Sequence, residues 1–234
     1  VVIESKTPVR ASQSWFDAAV QIHEDYERNV PELFVPNVVS IATEGKEFRY
    51  GSIGLPVDLW GPWRIEADGE TPALKRIEQA VDSMLRPNVV LDLLASFTAY
   101  ATDKKKRRIK IVARHQQYEA TNQIVERVVA GHPKKGLIWH FQGSGKSLLM
   151  LFAARKLRLH PALKNPTVMI VVDRIDLDSQ ISSTFYAADT PNLVKADSRS
   201  ELQRLLTQDT RKIIITTILK FADDIALLAS SSPE

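Results

Sequence analysis

The stretch that decides the fold runs from residue 136 to residue 150, Gly-Leu-Ile-Trp-His-Phe-Gln-Gly-Ser-Gly-Lys-Ser-Leu-Leu-Met. Its apolar run 137–139 predicts a buried strand, and residues 143–145 predict a tight loop built from small side chains. From Lys146 onward an apolar segment predicts a helix that reaches Leu159 and stops before a proline. A strand, a glycine loop and a helix N-terminus in this order form a cradle for phosphate, because backbone N–H groups and the helix dipole face the anion.

The loop supplies the candidate nucleotide site, which consists of Gly143, Ser144, Gly145, Lys146 and Ser147. The Lys146 ammonium suits the β- and γ-phosphates of ATP, and the Ser147 hydroxyl suits Mg²⁺. The pattern G-x-x-x-x-G-K-[ST] is incomplete, because His140 stands where the first glycine belongs. This shortened form is more typical of helicase-type motors than of kinases. The alternative is a glycine turn with an exposed lysine before an ordinary helix.

Composition sets limits on the class of protein. The 234 residues allow one large or two small domains, and 44% hydrophobic residues suffice for a core. There is no Cys, which excludes disulfides and thiolate metal sites and fits a cytoplasmic compartment. The net charge of +3 does not by itself argue for nucleic acid, but the segment Lys104–Arg114 contains basic residues and no acid. It is interpreted either as a solvated linker or as a contact for nucleic-acid phosphates. The longest apolar run, 148–154, is too short to span a bilayer.

The first six residues, Val-Val-Ile-Glu-Ser-Lys, predict a strand. Alternation along a strand places Glu4 and Lys6 on one face. A carboxylate and an ammonium at this spacing form the E-x-K half of a Mg²⁺-dependent phosphodiesterase site. There Glu4 would ligate the metal, and Lys6 would orient the attacking water or stabilise developing charge. The alternative is an ordinary surface ion pair on an edge strand.

The rest of the front half predicts short elements. The pattern indicates a helix over 12–27, strands over 38–43 and 48–50, and helices over 71–85 and 89–100. A strand, a helix and a hairpin fit the closing half of a small α/β nuclease domain. His23 is interpreted as a surface residue of the first helix.

The second half predicts a parallel sheet with helices on both faces. Strands are predicted over 167–172 and 213–217, with helices over 176–186 and after the capping box of Ser198 and Glu201. Polar residues at the C-terminal ends of such strands line the ligand edge of the sheet, and here they are Arg174, Gln180, Thr216 and Thr217. The alternative for each of them is capping and loop solvation. Gln117 precedes the loop in sequence, and its amide offers the donor and acceptor that adenine requires. The alternative is a glutamine at a helix start that is merely solvated.

Taken together, the motifs resemble the restriction (motor) subunit of type I restriction-modification enzymes. Trp139-His-Phe-Gln-Gly-Ser-Gly-Lys-Ser147 is similar to that family's helicase motif I, and Val171–Gln180 is similar to its motif Ia. Three further matches cover most of the remaining chain. They are Ile215–Phe221 for the next DNA-contacting motif, Arg114–Ala120 for the adenine-reading motif, and Ile3–Lys6 with Pro31–Phe34 for the nuclease region.

The resemblance implies an α/β chain with three segments. Residues 1–63 would be the C-terminal part of a PD-(D/E)xK nuclease domain, 64–103 a helical connector, and 104–234 the first part of a RecA-like superfamily 2 motor. It implies ATP and Mg²⁺ as cofactors, with Glu4, Lys6 and Lys146 as catalytic residues and Glu4 and Ser147 as metal ligands. It also implies double-stranded DNA, modification and specificity subunits as partners, and a location away from membranes.

Three departures from the family pattern affect this hypothesis. The family has Gln and Tyr four residues apart on its nuclease helix, whereas Gln21 and Tyr26 are five apart, a rotation of about 140° in an α-helix. On this ground their role is in doubt. The nuclease Asp and the Asp-Glu motif for ATP hydrolysis are both absent, so the chain alone is expected to be inactive. Two other functions stay open: a helicase-like ATPase with an inactive front domain, and a non-enzymatic nucleotide-binding module.

Overall fold

The computed structural model describes residues 1–10, 12–63, 71–102, 108–173, 184–186, 188, 190–209 and 211–220. The chain divides into two compact units, Val1–Glu119 and Ala120–Glu234. The prediction of three segments, 1–63, 64–103 and 104–234, stays a prediction.

The first unit begins with a mixed sheet of three strands in the order β1-β2-β3. β1 pairs in parallel with β2, and β2 pairs in antiparallel with β3. Their bounds are β1 Val2–Ser5, β2 Ser40–Thr43 and β3 Phe48–Gly51. The strands predicted over 38–43 and 48–50 are therefore confirmed to within two residues.

The helix predicted over 12–27 is one helical segment with a change of geometry inside it. Helix α1 covers Trp15–Val20 and begins at Ser14, whose backbone N–H donates to Asp17 Oδ2 over 2.7 Å. A π-helical turn follows over Gln21–Tyr26, and the short helix α2 covers Glu27–Asn29. A second short helix, a 3-10 turn, covers Pro31–Phe34. The segment packs on the sheet through Ala18, Ala19, Ile22 and Phe34, which form one buried cluster with Ala42 of β2 and with Val57 and Trp60, which follow β3.

Two helices and a hairpin complete the first unit. The bounds are α3 Ala73–Leu85, α4 Pro87–Ser96, β4 Thr98–Thr102 and β5 Arg108–Val112. The prediction of one helix over 89–100 is wrong at its end, because residues 98–102 pair in antiparallel with β5. A tertiary pairing overrides helix propensity here, and alternate Thr and Tyr side chains suit a strand. The basic run is likewise a strand from Arg108 onward, and residues 103–107 lie outside the described part.

The second unit contains a three-stranded parallel sheet in the order β6-β8-β7. The strands are β6 Val168–Val172, β7 Leu193–Lys195 and β8 Ile213–Thr217. Helix α5, His115–Ala130, runs from the first unit into the second, and helices α6, Lys146–Leu159, and α7, Arg199–Thr207, belong to the second. Half of the predicted capping box is confirmed, because Ser198 Oγ accepts from the Glu201 N–H over 3.1 Å. The other half differs, since Glu201 Oε2 accepts from the Asp197 N–H over 3.0 Å and not from that of Ser198. The predicted helix over 176–186 and the residues Arg174 and Gln180 fall largely or wholly outside the described residues.

The predicted buried strand over 137–139 is wrong. These residues form no strand, and Leu137 and Trp139 are 81% and 88% exposed. A strand requires a neighbour that accepts and donates its backbone hydrogen bonds, and the described sheet of β6, β8 and β7 supplies none to this segment. An apolar run is thus a weaker signal than the pairing that must accompany it.

One lysine of β5 is buried inside the first unit. Lys110 is 8% exposed, and its ammonium donates to the Asn37 carbonyl oxygen over 2.8 Å. Burial lowers the pKa of Lys110 from its ordinary 10.5. In the folded state the side chain therefore loses its proton more easily than it does in the unfolded chain.

We expect Lys110→Met to flatten the dependence of stability on alkaline pH. In the natural chain the unfolded state binds more protons than the folded state between the lowered folded pKa and 10.5. The free energy of unfolding should therefore rise with pH across that window, and the rise should vanish in the variant. Urea denaturation at several pH values measures it. Exposed Lys75, changed to Met, is the control and should keep the rise; an unchanged rise in Lys110→Met would contradict the assignment.

Candidate functional site

Four polar side chains of the first unit form a closed ring of hydrogen bonds. The Lys6 ammonium donates to Glu4 Oε1 over 2.9 Å and also to Gln21 Oε1. The Gln21 amide donates to the Tyr26 hydroxyl over 2.6 Å, and that hydroxyl donates to Glu4 Oε2 over 3.3 Å. We call these four residues the Glu4–Lys6 ring. They bring the predicted E-x-K pair into contact with the two residues whose role was in doubt.

The π-helical turn explains why residues five apart can meet. In a π-helix the hydrogen bonds join residues i and i+5, so five positions complete about one turn. Gln21 and Tyr26 are the first and last residues of this turn, and their side chains therefore lie on one face. The inference that a spacing of five separates them is wrong, because it assumed α-helical geometry throughout. Local composition does not reveal a π-helical turn, and only the family's Gln and Tyr pattern pointed to these residues.

The ring is only partly open to solvent. The side chains of Lys6 and Glu4 are 16% and 20% exposed. Burial and the neighbouring Glu4 charge raise the pKa of Tyr26 above its ordinary 10.0, in that order of size. The phenol therefore stays protonated at neutral pH and serves as a donor to the carboxylate. An ion pair held by two further side chains is more ordered than an isolated surface pair.

The ring offers one carboxylate to a metal ion. Each oxygen of Glu4 already accepts one hydrogen bond, and a carboxylate oxygen has a second lone pair for a ligand bond. Among the described residues, no three His, Cys, Asp or Glu side chains lie together as a metal site. The donor set therefore fits part of a Mg²⁺ site, in which oxygen ligands from water or substrate complete the coordination.

The glycine loop of the second unit is formed as predicted at its helical end. Gly143 and Gly145 both have a φ of 82°, in the left-handed region that glycine tolerates best. Helix α6 begins at Lys146 directly after the second glycine, and buried Ser144 lies between the two. The predicted helix bounds, Lys146 to Leu159, are confirmed. Ser147 occupies the second position of the helix and is half-buried.

Lys146 lies across its own loop. Its ammonium donates to the carbonyl oxygens of His140 and Phe141, over 2.8 Å in each case. These two bonds hold the positive charge beside the N-terminus of α6, which is the end of the helix dipole that attracts anions. The side chain is exposed, so its ammonium is accessible to a phosphate group.

Gln117 is buried at the start of α5 in the first unit. It is 1% exposed, and its Oε1 accepts the Arg114 N–H over 2.8 Å. The alternative of a merely solvated glutamine is wrong, because the buried amide oxygen caps the helix. Its neighbour Tyr118 packs against Trp63 and Phe97, with ring centroids 5.3 Å and 4.8 Å apart.

The carboxyl end of β8 places Thr216 and Thr217 inside the second unit. Both are buried, and Thr216 Oγ1 has no hydrogen-bond partner among the described residues. The alternative of loop solvation does not fit the burial of these two threonines.

Comparison with known proteins identifies the family. Residues 116–232 match the family model of the SWI2/SNF2 ATPase, which is half of the chain. The chain belongs to the SWI2/SNF2 ATPase family. The match covers the glycine loop, helix α6 and the parallel sheet. In the described part of this SWI2/SNF2 chain, no helix is both long and apolar enough to cross a membrane.

Curated relatives extend the similarity to the front of the chain. The type I restriction enzyme HindI endonuclease subunit of Haemophilus influenzae is 35% identical over 95% of the chain. The putative MjaVIIP endonuclease subunit of Methanocaldococcus jannaschii is 32% identical over 94%, and the SauCOLORF180P endonuclease subunit of Staphylococcus aureus is 27% identical over 88%. The resemblance to type I restriction endonuclease subunits is thus confirmed. The chain spans only 22%, 23% and 22% of these relatives.

We expect Glu4→Gln to lower the pKa of Tyr26 without returning it to 10.0. The substitution removes the carboxylate charge that disfavours the phenolate, whereas burial, the larger cause, remains. Carbon-13 tyrosine NMR titration measures the shift, and Tyr26→Phe assigns the resonance. Exposed Glu32, changed to Gln, is the control. An unchanged pKa in Glu4→Gln would show that the hydroxyl does not lie against Glu4.

Proposed function

We propose that this chain carries parts of two catalytic centres of a type I restriction enzyme: a Mg²⁺-dependent DNA endonuclease and an ATP-driven DNA translocase. The observation that supports the nuclease best is the Glu4–Lys6 ring, since it gathers the E-x-K pair and the family's Gln and Tyr at one place. The motor is supported by the family match and by the loop from Gly143 to Ser147 at the start of α6.

Each residue of the ring has a role in this proposal. Glu4 would hold Mg²⁺, which when bound would polarise the scissile phosphate and activate a water molecule. Lys6 would stabilise the charge that develops on the phosphate. Gln21 accepts from the Lys6 ammonium and so fixes its direction, and Tyr26 keeps the Glu4 carboxylate oriented. The ring resembles the closing part of a PD-(D/E)xK site, to which a second carboxylate would be added.

The nucleotide site would use the loop in the manner of a RecA-like motor. Backbone N–H groups around Gly143, Ser144 and Gly145 would face the phosphates of ATP, with Lys146 on the β- and γ-phosphates. Ser147 would hold Mg²⁺. Gln117 is buried with its Oε1 on the Arg114 N–H, so its amide would have to turn outward to read adenine. Because the chain contains no Asp-Glu motif, it should bind nucleotide without hydrolysing it at an appreciable rate.

The whole enzyme would act on double-stranded DNA in the cytoplasm, together with modification and specificity subunits. Hydrolysis of ATP would drive translocation, and cleavage would follow translocation. A helicase-like ATPase with an inactive front domain would contain the same loop but would not depend on the Glu4–Lys6 ring. The two functions therefore differ in what Lys6 does.

Lys6→Ala, in the full-length subunit assembled with its partners, should reduce the rate of DNA cleavage about 100-fold or more while ATP hydrolysis continues. Lys146→Ala should abolish both, because translocation precedes cleavage. Cleavage of a circular DNA with one recognition site and phosphate release are measured side by side. Exposed Lys46 and Lys134, each changed to Ala, are the controls and should leave both activities near those of the natural enzyme.

Normal cleavage by Lys6→Ala would reduce the Glu4–Lys6 ring to a structural pair and would favour the inactive front domain. Cleavage by Lys146→Ala would show that the nuclease does not depend on the motor.

A further inference from the structure

The Glu4–Lys6 ring depends on a turn whose register must be held. If the segment Gln21–Tyr26 adopted α-helical geometry, Tyr26 would rotate about 140° away from Gln21. Asp25, four residues after Gln21, would take its place and would bring a second negative charge towards Glu4. A π-helical turn has poorer packing than an α-helix and persists where surrounding contacts hold it. The contact that holds this turn lies at its end.

Glu27 closes the π-helical turn with both its backbone and its side chain. Its backbone N–H donates to the Ile22 carbonyl oxygen, which is an i to i+5 hydrogen bond of the turn. Its carboxylate oxygen Oε2 accepts the Gly54 N–H over 3.1 Å and lies 3.1 Å from His23 Nδ1. The Glu27 side chain is 8% exposed. One carboxylate thus joins the end of the turn, the middle of the turn and the loop after β3.

The link to Gly54 relates the turn to the sheet that bears the ring. Gly54 follows β3, and β3 pairs with β2, which in turn pairs with β1. Glu4 lies on β1 and Lys6 directly follows it, so the carboxylate of Glu27 fixes the turn relative to the strand that it must face. His23, expected to be a surface residue, is half-buried in the same contact.

Burial limits the hydrogen-bond partners of the Glu27 carboxylate. Glu27 Oε1 is buried and has no hydrogen-bond partner in the part of the chain that the structure describes. Burial raises the pKa of Glu27, and the Gly54 N–H and His23 counteract this. A buried carboxylate is costly, so the side chain is held by the few donors that reach it rather than by solvent.

We propose that Glu27 is a positioning residue of the nuclease centre, whose carboxylate holds the π-helical turn in register and thereby places Gln21 and Tyr26 on Glu4 and Lys6. The inference rests on the proposed nuclease function. The described contacts of the Glu27 carboxylate reach Gly54 and His23 rather than the ring side chains, so Glu27 acts through the backbone of the turn.

The first experiment compares Glu27→Ala with Glu27→Gln in the full-length assembled enzyme. Glu27→Ala should reduce DNA cleavage by about 10-fold or more and leave ATP hydrolysis unchanged, because the motor lies in a different unit. Glu27→Gln keeps an oxygen that can accept the Gly54 N–H, so it should retain cleavage within about 3-fold of the natural enzyme. Glu24→Ala is the matched control, since Glu24 lies on the same turn and near His23 but is exposed.

A structural readout on the same variants is the nuclear Overhauser effect between the Gln21 side-chain amide and the Tyr26 ring. It should be strong in the natural chain, weak in Glu27→Ala and restored in Glu27→Gln. A general loss of stability would weaken signals throughout the unit, whereas loss of register affects this pair while the core signals of Ala18 and Ile22 remain. Cleavage lost with this signal intact would overturn the positioning role.

The second experiment removes the need for the π-helical turn. Deletion of Glu24 leaves Gln and Tyr four residues apart, so that an ordinary α-helical turn places them on one face. The deletion alone should keep cleavage, and Glu27→Ala in that background should have little further effect. If Glu27→Ala is equally damaging with and without the deletion, Glu27 does not act through the register, and the inference is overturned.

The outcome for Lys6 separates failure of this inference from failure of the proposed function. If Lys6→Ala abolishes cleavage while Glu27→Ala leaves it intact, the ring is the nuclease centre and Glu27 has no positioning role. If neither substitution affects cleavage, the proposed nuclease function itself is wrong.

Discussion

The Glu4–Lys6 ring of the first unit depends on the Lys6 ammonium, which donates to two acceptors from different elements. They are Glu4 on β1 and Gln21 on the π-helical turn. A strand alone would present Glu4 and Lys6 as an exposed pair of little energetic value. The Gln21 amide and the Tyr26 hydroxyl turn that pair into an ordered, partly buried set of polar groups. In the proposed function such a set would stabilise charge on a bound phosphate, because its groups are oriented in advance.

The second unit holds its candidate phosphate-binding charge through backbone contacts. Lys146 is held by two backbone carbonyl oxygens of its own loop, and the loop owes its shape to the left-handed backbone of Gly143 and Gly145. In the first unit the positive charge is therefore fixed by side chains that hydrogen-bond to one another. In the second unit it belongs to an exposed lysine on a glycine loop.

Predictions from the sequence are confirmed where the signal is local. The bounds of α6 follow from a glycine before Lys146 and a proline after Leu159, and the shared face of Glu4 and Lys6 follows from strand alternation. Predictions are wrong where a segment's structure depends on pairing with a strand that is distant in sequence. Residues 137–139 are apolar but meet no neighbouring strand in the described sheet, and 98–100 become β4 because β5 lies beside them. The π-helical turn was missed because its anchor, Gly54, lies far from Glu27 in sequence.

The proposed nuclease function requires the Glu4–Lys6 ring to hold Mg²⁺ for DNA cleavage. The most direct measurement is the Mg²⁺ dependence of cleavage by the assembled enzyme carrying Glu4→Gln, with ATP hydrolysis recorded in the same reactions. The substitution keeps the side chain's size and removes the charge that the metal requires. If Glu4 holds the metal, we expect no cleavage at any Mg²⁺ concentration and an unchanged rate of ATP hydrolysis. Cleavage at the natural rate and with the natural Mg²⁺ dependence would contradict it.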